Sequence, residues 1–470
     1  MTRSAHSSPS AEKPRDRFIC QSSTGRRGAS LPCAGDVLFV TPSYVPFIGG
    51  AQAFQKAMVE RLVAEHWSVT LLTTDARQAT DFWHPPDSGT EPLPTREALA
   101  GVEVERLRLA YPWLAPYTLG LIRRAGYGVH DSRLPPAIQR PFLRWLSNWT
   151  PPLFDAESVL AELVREVDLV QVIDSSWDGL FVRAALAAAR YRKPLVSIPL
   201  MHLGDPRVAA HFQMVHQVDV YRASDAVLAL SEREATVLAE LGVPSDRIHV
   251  VQMGVDPQWR CQSGDPAQFR ERYGLSDPVV AFVGAHTYDK GLFTLVQAIV
   301  RLNQHGTRVH LVCAGPGGEQ LRESFRGQPQ RVRAVLHDRV KVLGTVSEHM
   351  KHELLAACDV LALPSRVDTF GIVLVEAGLH GKPVIGADAG GIPGVIEQGV
   401  TGLLVPFDDP CALADAIRRV VTDPRLAARL GDAGHHSVLS RYTWDHSYRS
   451  LKEIYLDILW APRGITCALP

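Results

Sequence analysis

This 470-residue chain has almost no net charge, no closely spaced cysteine pair and no long apolar run. The 49 basic and 50 acidic residues leave a formal net charge of −1, so no global excess points to nucleic-acid binding. The seven cysteines are odd in number and include no Cys-x-x-Cys pair, which argues against a disulfide framework or zinc ribbon and for a reducing compartment. No stretch approaches the ~18 apolar residues that span a bilayer.

The start of the chain also lacks the apolar core of a signal peptide. It is rich in Ser, Arg and Pro, so we expect a disordered tail over residues 1–34 and a cytoplasmic protein. The full chain has a globular composition, with 46 % apolar and 21 % charged residues. A wholly disordered chain, a coiled-coil rod and a collagen-like polymer are excluded.

Short apolar runs alternate with helical patterns along most of the chain, which is typical of doubly wound parallel sheets. A Gly/Pro/Asp-rich stretch over residues 254–278 separates two such series. The sequence predicts an α/β fold with two doubly wound domains, over residues 35–256 and 257–440, and a C-terminal region over 441–470 with a helix from about 443 to 459. The predicted strands are 37–41, 69–73, 102–107, 169–173, 195–199, 226–230 and 248–251, then 279–283, 309–314, 340–343, 360–363 and 384–385.

One segment, residues 109–154, does not follow this rhythm. It is rich in proline, tryptophan, tyrosine and arginine, and we expect a loop-rich insertion with short helices. Two interpretations stay open. The segment fills a small core of its own, or its aromatic and arginine side chains hold an acceptor or contact a membrane surface.

The strongest motif is PSRVDTFGIVLVEA at residues 364–377, which follows a predicted strand and opens a helix. The first backbone N–H groups of a helix are unpaired and can bind phosphate or sugar hydroxyls. Glu376 lies one turn inside the helix, where a carboxylate suits the diol of a ribose. The alternative is structural, with Asp368 capping the helix and Glu376 offsetting its dipole.

Three further glycine-rich turns follow predicted strands, at residues 284–291, 315–318 and 386–393. Ligands of open α/β sheets bind outside the carboxyl ends of the strands. Lys290 in the first turn is therefore placed to meet a pyrophosphate, although it could be a solvated loop residue.

Taken together, these motifs resemble the retaining glycosyltransferases of family 4, which have the GT-B fold. In the C-terminal half the matching stretches are FVGAHTYDKG (282–291), CAGPGGE (313–319) and residues 340–405, with the helix from Trp444. In the N-terminal half, VTPSYVPFIGGAQAF (40–54) resembles the glycine loop of the family, and residues 227–256 resemble its interdomain segment. The resemblance implies two Rossmann-like domains that face each other across a cleft, with the C-terminal helix packing back.

The resemblance also implies roles for individual residues. His202, Lys290 and Asp368 would be catalytic: His202 against the donor sugar, Lys290 on the donor phosphates and Asp368 on sugar hydroxyls. By itself, a lone histidine after a strand is more often a loop or core residue. The implied donor-binding positions are Gly49, Gly50, Gly284, Lys290, Gly315, Leu343, Asp368, Phe370, Gly371, Ile372, Val373 and Glu376.

The chain departs from the family pattern at two of these places. Asp368 stands where the first acid is usually Glu, and Ala285 stands where an Arg is usual. Either Lys290 carries more of the phosphate charge, or another cation replaces the Arg, with His286 as one candidate.

The expected function is that of a retaining, metal-independent glycosyltransferase that moves a sugar from a UDP- or GDP-sugar to a hydroxyl acceptor. A glycan, a glycolipid and a small metabolite all stay open as the acceptor. We expect no cofactor and no metal site, since a lysine and a helix N-terminus would stabilise the leaving diphosphate. Two alternatives remain: a catalytically degenerate nucleotide-sugar-binding module, and another GT-B enzyme such as a nucleotide-sugar epimerase. We expect no nucleic-acid partner. The expected location is the cytoplasm, with peripheral contact at the inner membrane face through residues 109–154 as the open alternative.

Overall fold

The structure is a computed structural model, and it describes residues 34–87, 89–112 and 114–460. The tail predicted over residues 1–34 lies outside the described residues except for Ala34. Residues 461–470 of the C-terminal region also lie outside them.

An eight-stranded sheet organises the first half of the chain, in the order β3-β4-β2-β1-β5-β6-β7-β8. All neighbouring strands are parallel except β3 and β4, which are antiparallel. The strands are β1 (Asp36–Val40), β2 (Ser68–Thr74), β3 (Arg96–Leu99), β4 (Val102–Leu107), β5 (Leu169–Ile173), β6 (Leu195–Ile198), β7 (Ala226–Ala229) and β8 (Ile248–Val250).

Helices cover both faces of this sheet, which explains why its central strands are continuous apolar runs. In β1, Val37 and Phe39 join one core cluster, while Leu38 and Val40 join the cluster on the opposite face. The helices of this half are α1 (Gly50–Ala64), α2 (Ala115–His130), α3 (Pro136–Ser147), α4 (Ala156–Glu166), α5 (Asp178–Arg190), α6 (Pro206–Ala210), α7 (Val215–Ala223) and α8 (Glu232–Glu240).

A second sheet of six parallel strands organises the other half, in the order β11-β10-β9-β12-β13-β14. Its strands are β9 (Val279–Val283), β10 (His310–Ala314), β11 (Val340–Gly344), β12 (Val360–Leu363), β13 (Val384–Ala387) and β14 (Gly402–Val405). The helices are α9 (Trp259–Gln262), α10 (Pro266–Tyr273), α11 (Leu292–Gln304), α12 (Gly318–Arg326), α13 (Gln330–Arg339), α14 (Glu348–Ala357), α15 (Ile372–Leu379), α16 (Pro410–Thr422), α17 (Pro424–Arg441) and α18 (Trp444–Trp460). The predicted α/β class with two doubly wound sheets is confirmed.

The sequence prediction missed two strands, β3 and β14. β3 is the four-residue edge strand REAL, whose residues are half-buried or exposed, so it carries no apolar run. β14 is also four residues long and follows a turn in which Gly399 N–H donates to Gly402 O. Short edge strands give too few residues for a periodic signal.

The short helices expected within residues 109–154 are present as α2 and α3, but they fill most of the segment, so it contains fewer loops than predicted. The prolines of this segment led us to predict more loop and less helix than the structure has. α2 and α3 each have a proline within their first two positions, where the missing N–H costs nothing.

The last helix, α18, returns to the first half of the chain, as predicted. Tyr455 packs against Trp67 with ring centroids 5.9 Å apart, and its hydroxyl donates to Gln171 of β5. Arg61 of α1 pairs with Asp445 at 2.9 Å.

The two sheets turn their carboxyl ends toward each other. Asp205, in the segment after β6, pairs at 2.7 Å with Arg366, which follows β12. The segments that carry the sequence motifs therefore meet between the sheets.

Candidate active site

The PSRVDTFG motif forms the loop between β12 and α15. Gly371 caps α15 with φ at +85°, in the left-handed region that favours glycine. α15 begins at Ile372, so the first unpaired N–H groups of the helix face the carboxyl edge of the second sheet.

Lys290 and Asp368 form an ion pair at this edge. Lys290 Nζ donates to Asp368 Oδ1 at 2.8 Å. Burial of Asp368 opposes its ionisation, but the charge and hydrogen bond of Lys290 prevail and hold the pKa below its ordinary value. The second oxygen, Oδ2, is buried and has no hydrogen-bond partner in the part of the chain that the structure describes. A ligand hydroxyl could occupy that position.

The turn that carries Lys290 is held against the same loop. Gly291 has φ at +73°, and a β-carbon there would lie 1.9 Å from the carbonyl oxygen of Pro364. Arg366 N–H donates to Asp289 O at 3.0 Å. Only glycine allows this close approach, which places Lys290 beside Asp368.

His202 follows β6 of the first sheet and lies close enough to this pair to feel both charges. Its ring stacks on Phe212 with centroids 5.2 Å apart and planes at 7°. Burial first, and then the charge of Lys290, lower the pKa of His202. The neutral ring offers one donor and one acceptor to a hydroxyl-rich ligand. The three predicted catalytic residues thus lie within electrostatic range of one another, although they come from both halves of the chain.

The predicted glycine positions also line the junction between the sheets. Gly284 and Gly315 end β9 and β10, and Gly315 N–H donates to Gly344 O at 2.7 Å beside Leu343 of β11. Gly49 caps α1. A β-carbon on Gly50 would lie 3.6 Å from Cγ2 of Ile372, so the glycine loop of the first sheet faces the start of α15.

Two of the predicted donor-binding residues point their side chains away. Phe370 is 2 % exposed and its ring contacts Tyr442, with centroids 5.8 Å apart. Val373 is buried in the core of the second sheet. Their contribution to a donor site is therefore limited to backbone N–H groups.

Glu376 already has a partner that the sequence analysis did not name. Lys351 Nζ on α14 donates to Glu376 Oε1 and to Glu348 Oε2, both at 2.7 Å. Burial opposes protonation of Lys351, but the two carboxylates outweigh it and raise the pKa. Within the described residues, Glu348, His352 and Glu376 are the one group spaced to hold a metal ion, and the Lys351 ammonium already bridges its two carboxylates.

His286 does not supply the cation that Ala285 lacks. The residue is 5 % exposed, and burial lowers its pKa. Two other cations lie nearby. Arg366 pairs with both Asp205 and Asp289 at 2.7 Å, and Arg322, whose charge acts on His286, donates to Val342 O at 2.6 Å. Lys290 is the lysine of this edge and pairs with Asp368.

Sequence reasoning also missed Glu234, which positions the loop of His202. The Glu234 carboxylate accepts from Met201 N–H and Leu230 N–H, each at 2.8 Å. The pattern Ser231-x-x-Glu234 at a helix start could have drawn attention to it, because Ser231 is the N-cap of α8.

Two family models match this chain on either side of the junction. The model "Glycosyltransferase Family 4" covers residues 48–259, and "Glycosyl transferases group 1" covers residues 266–437. A D-inositol 3-phosphate glycosyltransferase of Stackebrandtia nassauensis is 32 % identical over 315 residues, which are 64 % of this chain and 71 % of that protein. The chain belongs to glycosyltransferase family 4.

Other relatives of this family-4 chain match over a shorter span. An α-maltose-1-phosphate synthase of Mycolicibacterium smegmatis is 33 % identical over 50 % of this chain and 64 % of its own length. A D-inositol 3-phosphate glycosyltransferase of Xylanimonas cellulosilytica is 34 % identical over 52 % of this chain and 59 % of its own length. This chain thus spans about three fifths of the length of these two relatives.

Solved structures share the architecture of this family-4 protein. Anabaena Alr3699/HepE, solved in complex with UDP, has a TM-score of 0.64 at 21 % identity and covers 89 % of this chain and 99 % of its own. Sucrose-phosphate synthase from Thermosynechococcus elongatus has a TM-score of 0.66 at 20 % identity, and it covers 91 % of this chain and 99 % of its own. The expected GT-B fold is confirmed. Among the described helices, none has the length and apolar character needed to cross a bilayer.

Proposed function

We propose that this family-4 protein transfers a sugar from a nucleoside-diphosphate sugar to a hydroxyl acceptor. The observation that carries the proposal is the Lys290–Asp368 pair, which lies beside the start of α15 and within electrostatic range of His202 on the other sheet. A cation, a helix N-terminus and a free carboxylate oxygen together suit a diphosphate joined to a sugar.

The reaction breaks the bond between the anomeric carbon and the β-phosphate oxygen, and forms a bond from that carbon to the acceptor oxygen. Negative charge develops on the leaving diphosphate, where Lys290 and the N-terminus of α15 stabilise it. Asp368 Oδ2 and His202 would hold sugar hydroxyls. We propose retention of configuration by front-face attack, in which the leaving phosphate takes the acceptor proton.

We propose UDP as the nucleotide and no divalent metal in the reaction. Support for UDP comes from the similarity of fold to Anabaena HepE, whose structures hold UDP and UDP-glucose. Support for a metal-free site comes from Lys351, whose ammonium already bridges the carboxylates of Glu348 and Glu376.

We also propose that α2 and α3 contact an anionic membrane at its cytoplasmic face. Ile138, Phe142 and Trp145 lie at i, i+4 and i+7 on α3, with exposures of 55 %, 46 % and 57 %, and form an apolar stripe facing solvent. Residues 109–154 contain nine of the fifteen exposed large apolar residues in the described chain. They also contain five arginines and one acidic residue. Arg140 and Arg144 pair with Asp219, and Arg123 stacks on two tryptophan rings. The exposed Arg124 and Arg133 carry the charge that complements anionic headgroups.

The test of the transfer function is a thermal-shift titration with UDP, GDP and ADP, each with and without EDTA. We expect UDP alone to raise Tm, unaffected by EDTA, because a ligand that binds only the folded state stabilises it. A panel of UDP-sugars then follows, with release of UDP as the readout. Absence of stabilisation by every nucleotide contradicts the proposal.

The second candidate is a nucleotide-sugar-binding module without turnover. Ala285 and the buried His286 favour it, because neither residue adds a positive charge beside Lys290. Stabilisation by UDP with no release of UDP from any UDP-sugar would favour this candidate.

A further inference from the structure

Lys351 of α14 is a largely buried lysine to which the proposed transfer gives no role in binding. Its ammonium donates to Glu376 Oε1 and to Glu348 Oε2, both at 2.7 Å. The side chains of Lys351 and Glu376 are 14 % and 11 % exposed. Glu376 lies one turn inside α15, where its carboxylate suits the diol of a ribose. The lysine therefore holds the acid that would recognise the ribose.

The ammonium of Lys351 fixes one oxygen of this carboxylate. Among the described residues, Lys351 is the one side chain that donates a hydrogen bond to Glu376. A glutamate has three rotatable side-chain bonds, and a carboxylate binds two vicinal hydroxyls well only when it is already held in the right orientation. Because Lys351 takes Oε1, the orientation of Oε2 is fixed as well.

The charge of Glu376 also depends on this lysine. Removing one partner of a buried ion pair leaves a charge without compensation in a poorly solvated place. Without Lys351, the carboxylate of Glu376 would turn toward solvent and leave the position in which it meets a diol. The ion pair therefore keeps a charged acceptor where burial alone would disfavour one.

The residue after Lys351 keeps α14 in place beside α15. The ring of His352 stacks on Trp259 of α9, with centroids 4.7 Å apart and planes at 6°. His352 Nδ1 also lies 2.9 Å from Nε2 of His380, which is the C-cap of α15. These contacts fix the second turn of α14, so Lys351 reaches Glu376 from a fixed position.

Fold stability is a weak explanation for a lysine at this position. A buried ion pair often contributes no more stability than an apolar pair of similar volume. The second partner, Glu348, is exposed, and ion pairs with exposed groups contribute little. The effect of Lys351 on Glu376 explains why a charge is buried here.

We propose that Lys351 is a positioning residue, which orients the carboxylate of Glu376 for the diol of a ribose. It thereby sets the preference of the site for a ribonucleotide over a nucleotide that lacks both ribose hydroxyls. The inference rests on the proposed transfer function, because that function places a nucleotide at this site. Lys351 acts through Glu376, so its effect disappears when Glu376 is replaced.

Three variants separate this role from a purely structural one. Lys351→Met keeps an unbranched side chain that suits a helix but removes the charge. Lys351→Arg keeps the charge, and its five donors can serve both carboxylates. Lys351→Met/Glu376→Gln removes both charges, so that no buried charge is left unpaired. Lys452→Met, which breaks a more exposed pair with Glu65, is the matched control.

The experiment measures by calorimetry how the full chain binds UDP, dideoxy-UDP, which lacks both ribose hydroxyls, and inorganic pyrophosphate. We expect wild type, Lys452→Met and Lys351→Arg to prefer UDP over dideoxy-UDP about tenfold, and Lys351→Met about twofold or less. Both ligands are titrated into the same protein sample, so a lower folded fraction affects them equally. Pyrophosphate should bind all these proteins alike, and the double variant should match Glu376→Gln with every ligand.

Several results would overturn the inference. If Lys351→Met retains the full preference for UDP, Glu376 needs no partner. If Lys351→Met binds all three ligands more weakly by the same factor, or if Lys351→Arg does not restore the preference, the lysine is structural. Binding of UDP to the double variant that is weaker than to Glu376→Gln would show that Lys351 contacts the nucleotide itself.

The double variant decides the question if Lys351→Met does not fold, because it leaves no unpaired charge. Equal binding of UDP and dideoxy-UDP to wild type would also overturn the inference, since Glu376 then does not recognise the diol. If no nucleotide binds wild type, the transfer function fails together with this inference. If UDP binds wild type and the Lys351 variants behave like it, the inference alone fails.

Discussion

Lys290 Nζ lies 2.8 Å from Asp368 Oδ1, and this ion pair joins the turn after β9 to the loop before α15. The side chains of Lys290 and Asp368 are 24 % and 16 % exposed, so the pair is shielded but open to a ligand. The same lysine can hold Asp368 in place and neutralise a diphosphate. The two roles are separable by mutation.

Lys290→Ala should weaken UDP binding about tenfold to a hundredfold, because a charged hydrogen bond of this kind contributes roughly 1.5–3 kcal/mol. Calorimetric titration measures it, with Lys56→Ala on the exposed face of α1 as control. Removing Lys290 also leaves Asp368 without its partner, so the double variant Lys290→Ala/Asp368→Asn is needed. Recovery of UDP affinity in the double variant would show that Lys290 acts through Asp368 alone.

Glu376→Gln should weaken the binding of UDP about tenfold but leave the binding of inorganic pyrophosphate unchanged. The ribose diol loses a charged hydrogen-bond acceptor, while the residues that would bind the phosphates are intact. Competition binding with both ligands distinguishes the two effects. Glu348→Gln is the control, since Glu348 shares Lys351 with Glu376 and is more exposed. A similar loss in both variants would assign the effect to Lys351.

Asp205→Asn should loosen the contact between the two sheets. The substitution removes the charge that pairs with Arg366 at 2.7 Å, while asparagine still caps α6. A partly exposed pair contributes roughly 0.2–1 kcal/mol, so UDP-sugar turnover at low substrate should fall about twofold to fivefold. Small-angle scattering with UDP should show a larger radius of gyration than wild type. Asp265→Asn, at the cap of α10, should change neither.

Glu234→Gln should flatten the pH dependence of stability. Burial raises the pKa of Glu234 from 4.5 to about 7. An acid that binds its proton more tightly when folded stabilises the fold below about pH 4.5 and loses that stabilisation as pH rises to about 7. The full effect is about 3 kcal/mol. Urea unfolding at pH 5 and pH 7.5 measures it as the difference between wild type and variant, and Glu232→Gln on the same helix should match wild type.

Replacing Ile138, Phe142 and Trp145 by serine should abolish binding to vesicles that contain phosphatidylglycerol. Each large apolar side chain contributes about 1.5–3 kcal/mol when buried, so the bound fraction in sedimentation should fall at least about tenfold. Binding of wild type should also fall with added salt. Leu186→Ser/Leu439→Ser removes exposed leucines outside this segment and serves as control. Equal binding to neutral vesicles would contradict the charge argument.

The sequence was most informative where a strand, a glycine and a charged residue follow in close succession. Lys290 and Asp368 could be assigned to one edge because parallel strands end at the same side of a sheet. Their 2.8 Å contact could not, since it depends on how closely Gly291 approaches Pro364. Family resemblance, rather than residue pattern, placed His202 there.

Contacts between residues that are far apart in sequence could not be predicted. Lys351 lies on α14 and Glu376 on α15, and no local pattern links a lysine to a carboxylate on the next helix. A cavity beside α2 could not be predicted either, since its wall combines residues from α3, α6 and α7. The composition of residues 109–154 indicated an unusual segment, but its prolines made the extent of α2 and α3 difficult to predict.

The position of α18 determines when the core of the first half can be completed during synthesis. The first sheet is synthesised before the second, yet the helix that covers Trp67 and Gln171 follows the second sheet in the chain. A nascent chain that stops short of Trp444 therefore holds an incomplete core with apolar surface open to chaperones or to other chains. Final folding of the first half waits for synthesis of the second, so the two halves are made one after the other but completed together.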